Sequence, residues 1–277
     1  MAGINKTIIY DSCKQGHSAV VELVEIIRYR NLIFQLTRRD VLSRYKRSFL
    51  GVAWTMINPL GMMLVLTLAF SQIMRLDIPG YAAYVLSGLM AWNFFSQTTI
   101  AAMINLVWGG GLLKRIYIPR ASFALAAIGT GLINLVLSLI PMMVVMLVTG
   151  IPIRLTILFL PVPTILLVSF SLGIGLLIST WAIYFPDVAE MFQIILAAWM
   201  YLCPIIYNDS ILPANLQFWF ERLNPMYSII KLFRMPIYDG RLPTWAEFWP
   251  SLVISLVVLA IGWFVFTSKS DEFAYRV

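Results

Sequence analysis

Uncharged windows longer than a bilayer crossing set the terms for this sequence. Residues 48–74 contain no Asp, Glu, Lys or Arg, and neither do residues 78–113, 121–149 or 155–185. Each exceeds the roughly 20 residues that an α-helix needs to span about 30 Å of hydrocarbon. The chain is 60% hydrophobic and 12% charged over 277 residues, whereas soluble domains carry roughly 25% charged residues. A soluble fold is excluded on that ground. Backbone polar groups in lipid must be satisfied within the segment, so an all-α polytopic membrane protein follows.

The runs resolve into six expected crossings. The first is 48–74, between Arg47 and Arg75. The second is about 81–108, closed by Gly109, Gly110 and Gly111. The third is 121–149, ended by a turn through Gly150, Pro152 and Arg154. The fourth is 155–185, with Pro161 and Pro163 near its start. The fifth is 191–207, interrupted by Pro204, and the sixth is 248–266. Residues 1–47 form a tail and an interface helix, and 48–277 form the transmembrane domain. With the N-terminus inside, 14 Lys and Arg fall on the cytoplasmic side and six outside, the sense of the positive-inside rule. Residues 1–15 lack the apolar core of a signal peptide, so both termini are expected in the cytoplasm. The +7 balance is spent on membrane orientation and anionic headgroups, and nucleic acid is not expected as a partner.

Residues 20–47 carry recurrent charges but a helical period. Val20, Val24, Ile27, Phe34, Val41 and Tyr45 share a stripe, and a break is expected near Arg30. This is the pattern of a helix lying in the membrane interface. Residues 208–247 are too apolar for a free loop and too interrupted, by Pro213, Pro225 and Pro236, for a full crossing. They are expected to form a re-entrant segment outside, the alternative being a folded external cap packed on the bundle.

The chemistry available is narrow. Gly109 to Gly111 lead into Leu112, Leu113, Lys114 and Arg115, which is not G-x-x-x-x-G-K-[ST], so no nucleotide-binding loop is present. His17 is the one histidine, and Cys13 and Cys203 have no metal-binding spacing. Catalysis and a bound cofactor are therefore not expected. Asp77, Asp187, Glu190 and Asp209 sit near helix ends without paired spacing, and the crossings lack the ionisable relay of an ion-coupled transporter. Two groups of residues stand out as site candidates. Trp181, Tyr184, Tyr201 and Tyr207 are interfacial anchors or packing residues or, where they face a bundle interior, offer flat faces with polar tips to a passing sugar chain. On the inner face, Lys114, Arg115, Ile116 and Tyr117, together with Arg38 and Arg39, are candidates for contact with an external motor.

Four stretches carry a resemblance. Residues 44–59, RYKRSFLGVAWTMINP, are similar to the basic approach to helix one in permease subunits of ABC-2 type polysaccharide exporters. Residues 113–120 (LKRIYIPR), 185–188 (FPDV) and 223–234 (LNPMYSIIKLFR) resemble later segments of that family. Pro186 departs from the basic residue that many members carry there. The resemblance implies a homodimer of six-helix subunits around a channel and two separate P-loop ATPase subunits that use ATP and Mg. The implied substrate is a lipid-linked, O-antigen-like polysaccharide moved outward across the bacterial inner membrane. An ABC-2 permease for a drug or small lipid, and an integral-membrane glycolipid enzyme, are the alternatives.

Overall fold

The computed structural model describes residues 19–45, 51, 53–73, 78–108, 119–208, 213, 221 and 223–276. Among these the chain is helical, with nine α-helices. Helices α1 (Ala19–Arg28) and α2 (Arg30–Tyr45) are followed by α3 (Ala53–Leu66), which continues as a π-helical stretch Thr67–Ile73. Next come α4 (Tyr81–Trp108), α5 (Ala121–Thr149) and a 3-10 turn Leu155–Phe159. Helices α6 (Pro161–Tyr184), α7 (Val188–Tyr201), α8 (Pro225–Arg234) and α9 (Trp245–Arg276) complete the order.

Local chemistry sets these bounds. Gly150 closes α5 in the left-handed region at φ +74°, and the Ile151 amide then reaches the Met146 carbonyl at 2.9 Å. Only glycine takes that φ without strain. Pro161 occupies the first turn of α6, where its missing N–H has no partner to lose. The predicted break near Arg30 falls at Tyr29, between α1 and α2. The predicted fifth crossing is shorter than its apolar run: α7 ends at Tyr201 because Pro204 cannot donate to a continuing helix. The last helix is longer than its apolar core and runs through Lys269 and Glu272.

Among the described residues, four segments are long and apolar enough to cross a membrane: Ala53–Phe70, Ala121–Thr149, Leu155–Tyr184 and Trp245–Ser270. Helix α4 is 28 residues long and uncharged, but Asn93, Gln97 and Asn105 make it more polar than its neighbours. It is nevertheless central, packing against both α5 and α6. Helix α7, at 14 residues, rises about 21 Å, short of a full hydrocarbon layer.

The core lies where α4 meets α5, α6 and α8. Phe95, Phe170, Phe233, Met142 and Ile230 are fully enclosed. Helices α6 and α9 cross closely because both surfaces carry glycine. A Cβ on Gly173 would lie 2.6 Å from the Val258 carbonyl, and Gly262 faces the Gly173 backbone in return.

The apolar stripe of the N-terminal helices faces away from the bundle. Val24, Ile27 and Phe34 are exposed, while Glu22, Leu36 and Thr37 on the opposite side are buried. Glu22 Oε1 accepts from the Ala121 amide at 3.3 Å and so caps the N-terminus of α5. Thr37 Oγ1 sits over Gly129, where a Cβ would be only 2.8 Å away, and donates to the Ala126 carbonyl at 3.4 Å.

Candidate functional site

Polar side chains within the apolar bundle gather on one wall. On α4, Asn93, Gln97 and Asn105 stand four and eight residues apart, so they fall on one helical stripe. Helix α5 adds Asn134 and Ser138, also four residues apart, and α3 adds Asn58 and Thr55. These residues line a cleft of about 650 Å³ between α3, α4 and α5, with Trp54 at one side. A second cavity of about 340 Å³ opens from it beside α2. The two share Gln97, Asn105 and Asn134, and Asp40 and Ser43 of α2 complete the second.

The cleft runs from the α2 end of the bundle to Met90, near the middle of α4. Asn105 Nδ2 donates to Asp40 Oδ2 at 3.3 Å. The other oxygen, Oδ1, accepts from Arg39 Nε at 3.0 Å and Nη2 at 2.8 Å. The carboxylate thus carries its counter-ion on the side away from the cleft. Hydroxyls next to the amides are occupied internally: Thr98 and Thr99 donate to the Phe94 and Phe95 carbonyls at 2.7 and 2.8 Å. The carboxamides of Asn58, Asn93 and Gln97 make no side-chain hydrogen bond within the described residues. Amides with that spare capacity are expensive against lipid, so this wall is built to face polar matter rather than acyl chains.

At the opposite end of the bundle, side chains tie α8 to α4 and α7, and a separate cavity of about 460 Å³ lies between α8 and the start of α9. Arg234 of α8 is 5% exposed; its guanidinium lies 3.6 Å over the Tyr84 ring, and Nε donates to Ser87 Oγ at 3.3 Å. Asn224 caps α8 by accepting from the Tyr227 amide at 3.3 Å. It also accepts from Trp199 Nε1 and donates to the Leu202 carbonyl, each at 2.8 Å. Trp199 in turn makes edge contacts with Trp92, Phe95 and Phe170. Thr156 donates to Pro236 O at 2.8 Å, and Tyr238 donates to Pro79 O. Arg241 places two N–H groups on the Glu247 carboxylate, at 2.9 and 2.7 Å, and that hydrogen bonding raises the Arg241 pKa above its ordinary value.

The four aromatics predicted from sequence lie at two places. Tyr184 ends α6, where its hydroxyl donates to Glu272 Oε2 at 2.5 Å, and Trp181 is exposed one turn before it. Tyr201 and Tyr207 sit at the other end, where Tyr207 donates to the Tyr201 carbonyl at 3.2 Å and accepts from Tyr84 on its own carbonyl at 2.8 Å. None of the four lines the carboxamide cleft. Arg38 and Arg39 are exposed on α2, while Lys114, Arg115, Ile116 and Tyr117 lie outside the described residues. The amide stripe was readable in principle as a polar period-4 pattern inside an uncharged run, the reverse of the usual amphipathic signal.

A family model described as ABC-2 type transporter matches residues 31–238 of the chain. Among curated proteins, the O-antigen export system permease protein RfbA of Myxococcus xanthus is 28% identical over 254 residues, covering 91% of this chain and 98% of that protein. A protein of the same name from Klebsiella pneumoniae is 24% identical, with 88% and 94% covered. The polysialic acid transport protein KpsM of Escherichia coli is 24% identical, with 84% and 91% covered.

Proposed function

Because this chain belongs to the ABC-2 type transporter family, we propose that it is the transmembrane subunit of an ATP-driven exporter of lipid-linked, O-antigen-like polysaccharide. It would act in the bacterial inner membrane with a second copy of itself and two P-loop ATPase subunits. The observation that carries this reading is the carboxamide-lined cleft in a bundle of uncharged helices. Carboxamides donate and accept at once, which suits sugar hydroxyls, and they do so without the tight binding that would arrest transport. The name of two relatives, O-antigen export system permease protein, supports the same class of cargo, and the polysialic acid transport protein supports polysaccharide transport in general.

In this reading the chain crosses six times with both termini inside. Helix α4 is the second crossing, shielded from lipid by its neighbours, and α7 with the turn through residue 207 is the fifth. Residues 208–247 dip into the outer face, and α1 and α2 lie in the inner interface with Val24, Ile27 and Phe34 toward lipid. ATP and Mg are used by the partner subunits, which dock on Arg38, Arg39 and the loop containing Lys114, Arg115, Ile116 and Tyr117. Trp181 and Tyr201, exposed on the subunit surface, are available to the glycan as it leaves the cleft or to the second copy.

Deleting the chain in its own host tests this. Surface polysaccharide should disappear, lipid-linked polymer should accumulate inside, and the chain together with its ATPase should restore export. Normal surface polysaccharide in the deletion strain would overturn the assignment.

A further inference from the structure

The cleft is nearly free of charged side chains. The three helices that wall it, α3, α4 and α5, contain no Lys, Arg, His, Asp or Glu between residues 53 and 73, 81 and 108, or 121 and 149. Among the described residues lining the two cavities, the one ionisable group is Asp40, an anion already matched by Arg39 at 2.8 Å. The other polar side-chain groups of those lining residues are carboxamides, hydroxyls and the Trp54 indole N–H. A polymer with a carboxylate or phosphate on each repeat entering such a wall would lose hydration without gaining a cation. Burial of unpaired charge is among the costliest events in a protein interior, and anion-conducting pores meet it with Arg or Lys rings. A glycan bearing only hydroxyl and N-acetyl groups meets no such penalty. Its donors and acceptors find both halves of the Asn and Gln amides.

Resting on the export reading above, we propose that this chain moves electrically neutral polysaccharide and excludes polyanionic polysaccharide, with Gln97 and Asn105 on α4 as the specificity-determining contacts. Gln97 is the best probe, since it lines both cavities and is exposed to them. Asp40 serves as a positioning residue: it holds Asn105 at 3.3 Å.

The test uses the full chain with its ATPase in two bacterial strains that lack their own exporter, one making a lipid-linked mannan and the other polysialic acid. Surface polymer is labelled on intact cells. Wild type should export mannan at least about tenfold better than polysialic acid, the scale of desolvating one polar group that is left without a partner. Gln97→Lys should narrow that ratio by raising polysialic acid export or lowering mannan export, whereas the near-isosteric Gln97→Glu should widen it. Membrane level and co-purification with the ATPase are measured for each variant, so a folding defect is seen as such. Equal export of both polymers by wild type would overturn the inference, as would a ratio unmoved by Gln97→Lys at normal membrane level. Export of neither polymer by a properly assembled complex, with normal surface polysaccharide in the host deletion strain, would instead bring down the export reading on which the inference stands.

Discussion

The Arg234 guanidinium lies 3.6 Å over the ring of Tyr84, joining a residue of α8 to one 150 positions earlier on α4. The charge is 5% exposed, and it is held by the ring and by Ser87 Oγ. A desolvated cation over an aromatic face contributes about 2 kcal/mol. Arg234→Ala is therefore expected to destabilise the detergent-purified subunit by about that amount, and Arg234→Lys to recover little because the planar stack is lost. Thermal unfolding of the three proteins decides it; Lys matching Arg would show that charge alone matters.

Gly88 belongs to the same contact, since a Cβ there would lie 2.6 Å from Arg234 Nη2 and 3.3 Å from the Ile205 Cα. Gly88→Ala should destabilise the wild type by about 1–3 kcal/mol, the usual range for overpacking. It should do less harm in an Arg234→Ala background, where the long side chain no longer competes for the space. Additive effects in that double-mutant cycle would place the clash on the Ile205 backbone instead.

Asn224 is a second fastening, since one side chain caps α8, accepts from Trp199 and donates to the Leu202 carbonyl. Asn224→Ala should lose about 1 kcal/mol for the cap and a further 1–3 or so for the orphaned indole N–H. Asn224→Asp keeps both acceptor contacts and loses only the donor, so it should fall between the two in unfolding midpoint. An alanine variant as stable as wild type would mean that the turn at residues 202–208 repacks without the amide.

The frame of this molecule was legible because hydrocarbon imposes a simple rule. Helices α4 and α5 start and end where the uncharged runs and the Gly109 and Gly150 punctuation place them. The joint at Tyr29 follows from the charges that interrupt the N-terminal stripe. The sites were harder to read. Arg234 looks like one more outer-loop cation, and only the tertiary contact with Tyr84 shows that it is buried. Asn224 has no local partner beyond its own cap; Trp199 and Leu202 reach it across more than 20 residues. In the sequence, aromatics stand out as sugar-binding candidates while Asn93, Gln97 and Asn105 do not, because polar residues inside an uncharged window register as slight loss of hydropathy rather than as a stripe.

Tyr184 separates two roles for an aromatic side chain. Its hydroxyl donates to Glu272 Oε2 at 2.5 Å, pinning the end of α6 to the C-terminal extension of α9. Glu272 is partly exposed and also pairs with Lys269, so solvent screening holds the contribution to about 1 kcal/mol. Tyr184→Phe should lower stability by that amount and leave export near normal, while Tyr184→Leu should do the same if the ring has no glycan to touch. A large export defect in Leu but not in Phe, at equal membrane level, would instead assign the ring to the translocation path.

The excess of Lys and Arg on one set of loops makes a directional prediction about the whole fold. Fourteen of the 20 basic residues fall in the tail, the loop before α5 and the C-terminal extension, which the positive-inside rule keeps in the cytoplasm. The region between α7 and α9 then faces outward. A cysteine placed at Asn215 should react with a membrane-impermeant maleimide in intact cells, whereas Cys13 should react only after the membrane is opened. Cys203 is buried and should stay silent in both cases, leaving the two informative thiols without background. Labelling of Cys13 but not of Asn215→Cys in intact cells would invert the topology. The carboxamide cleft would then open at its α2 end toward the outside, and the exposed arginines of α2 would lose access to any cytoplasmic ATPase.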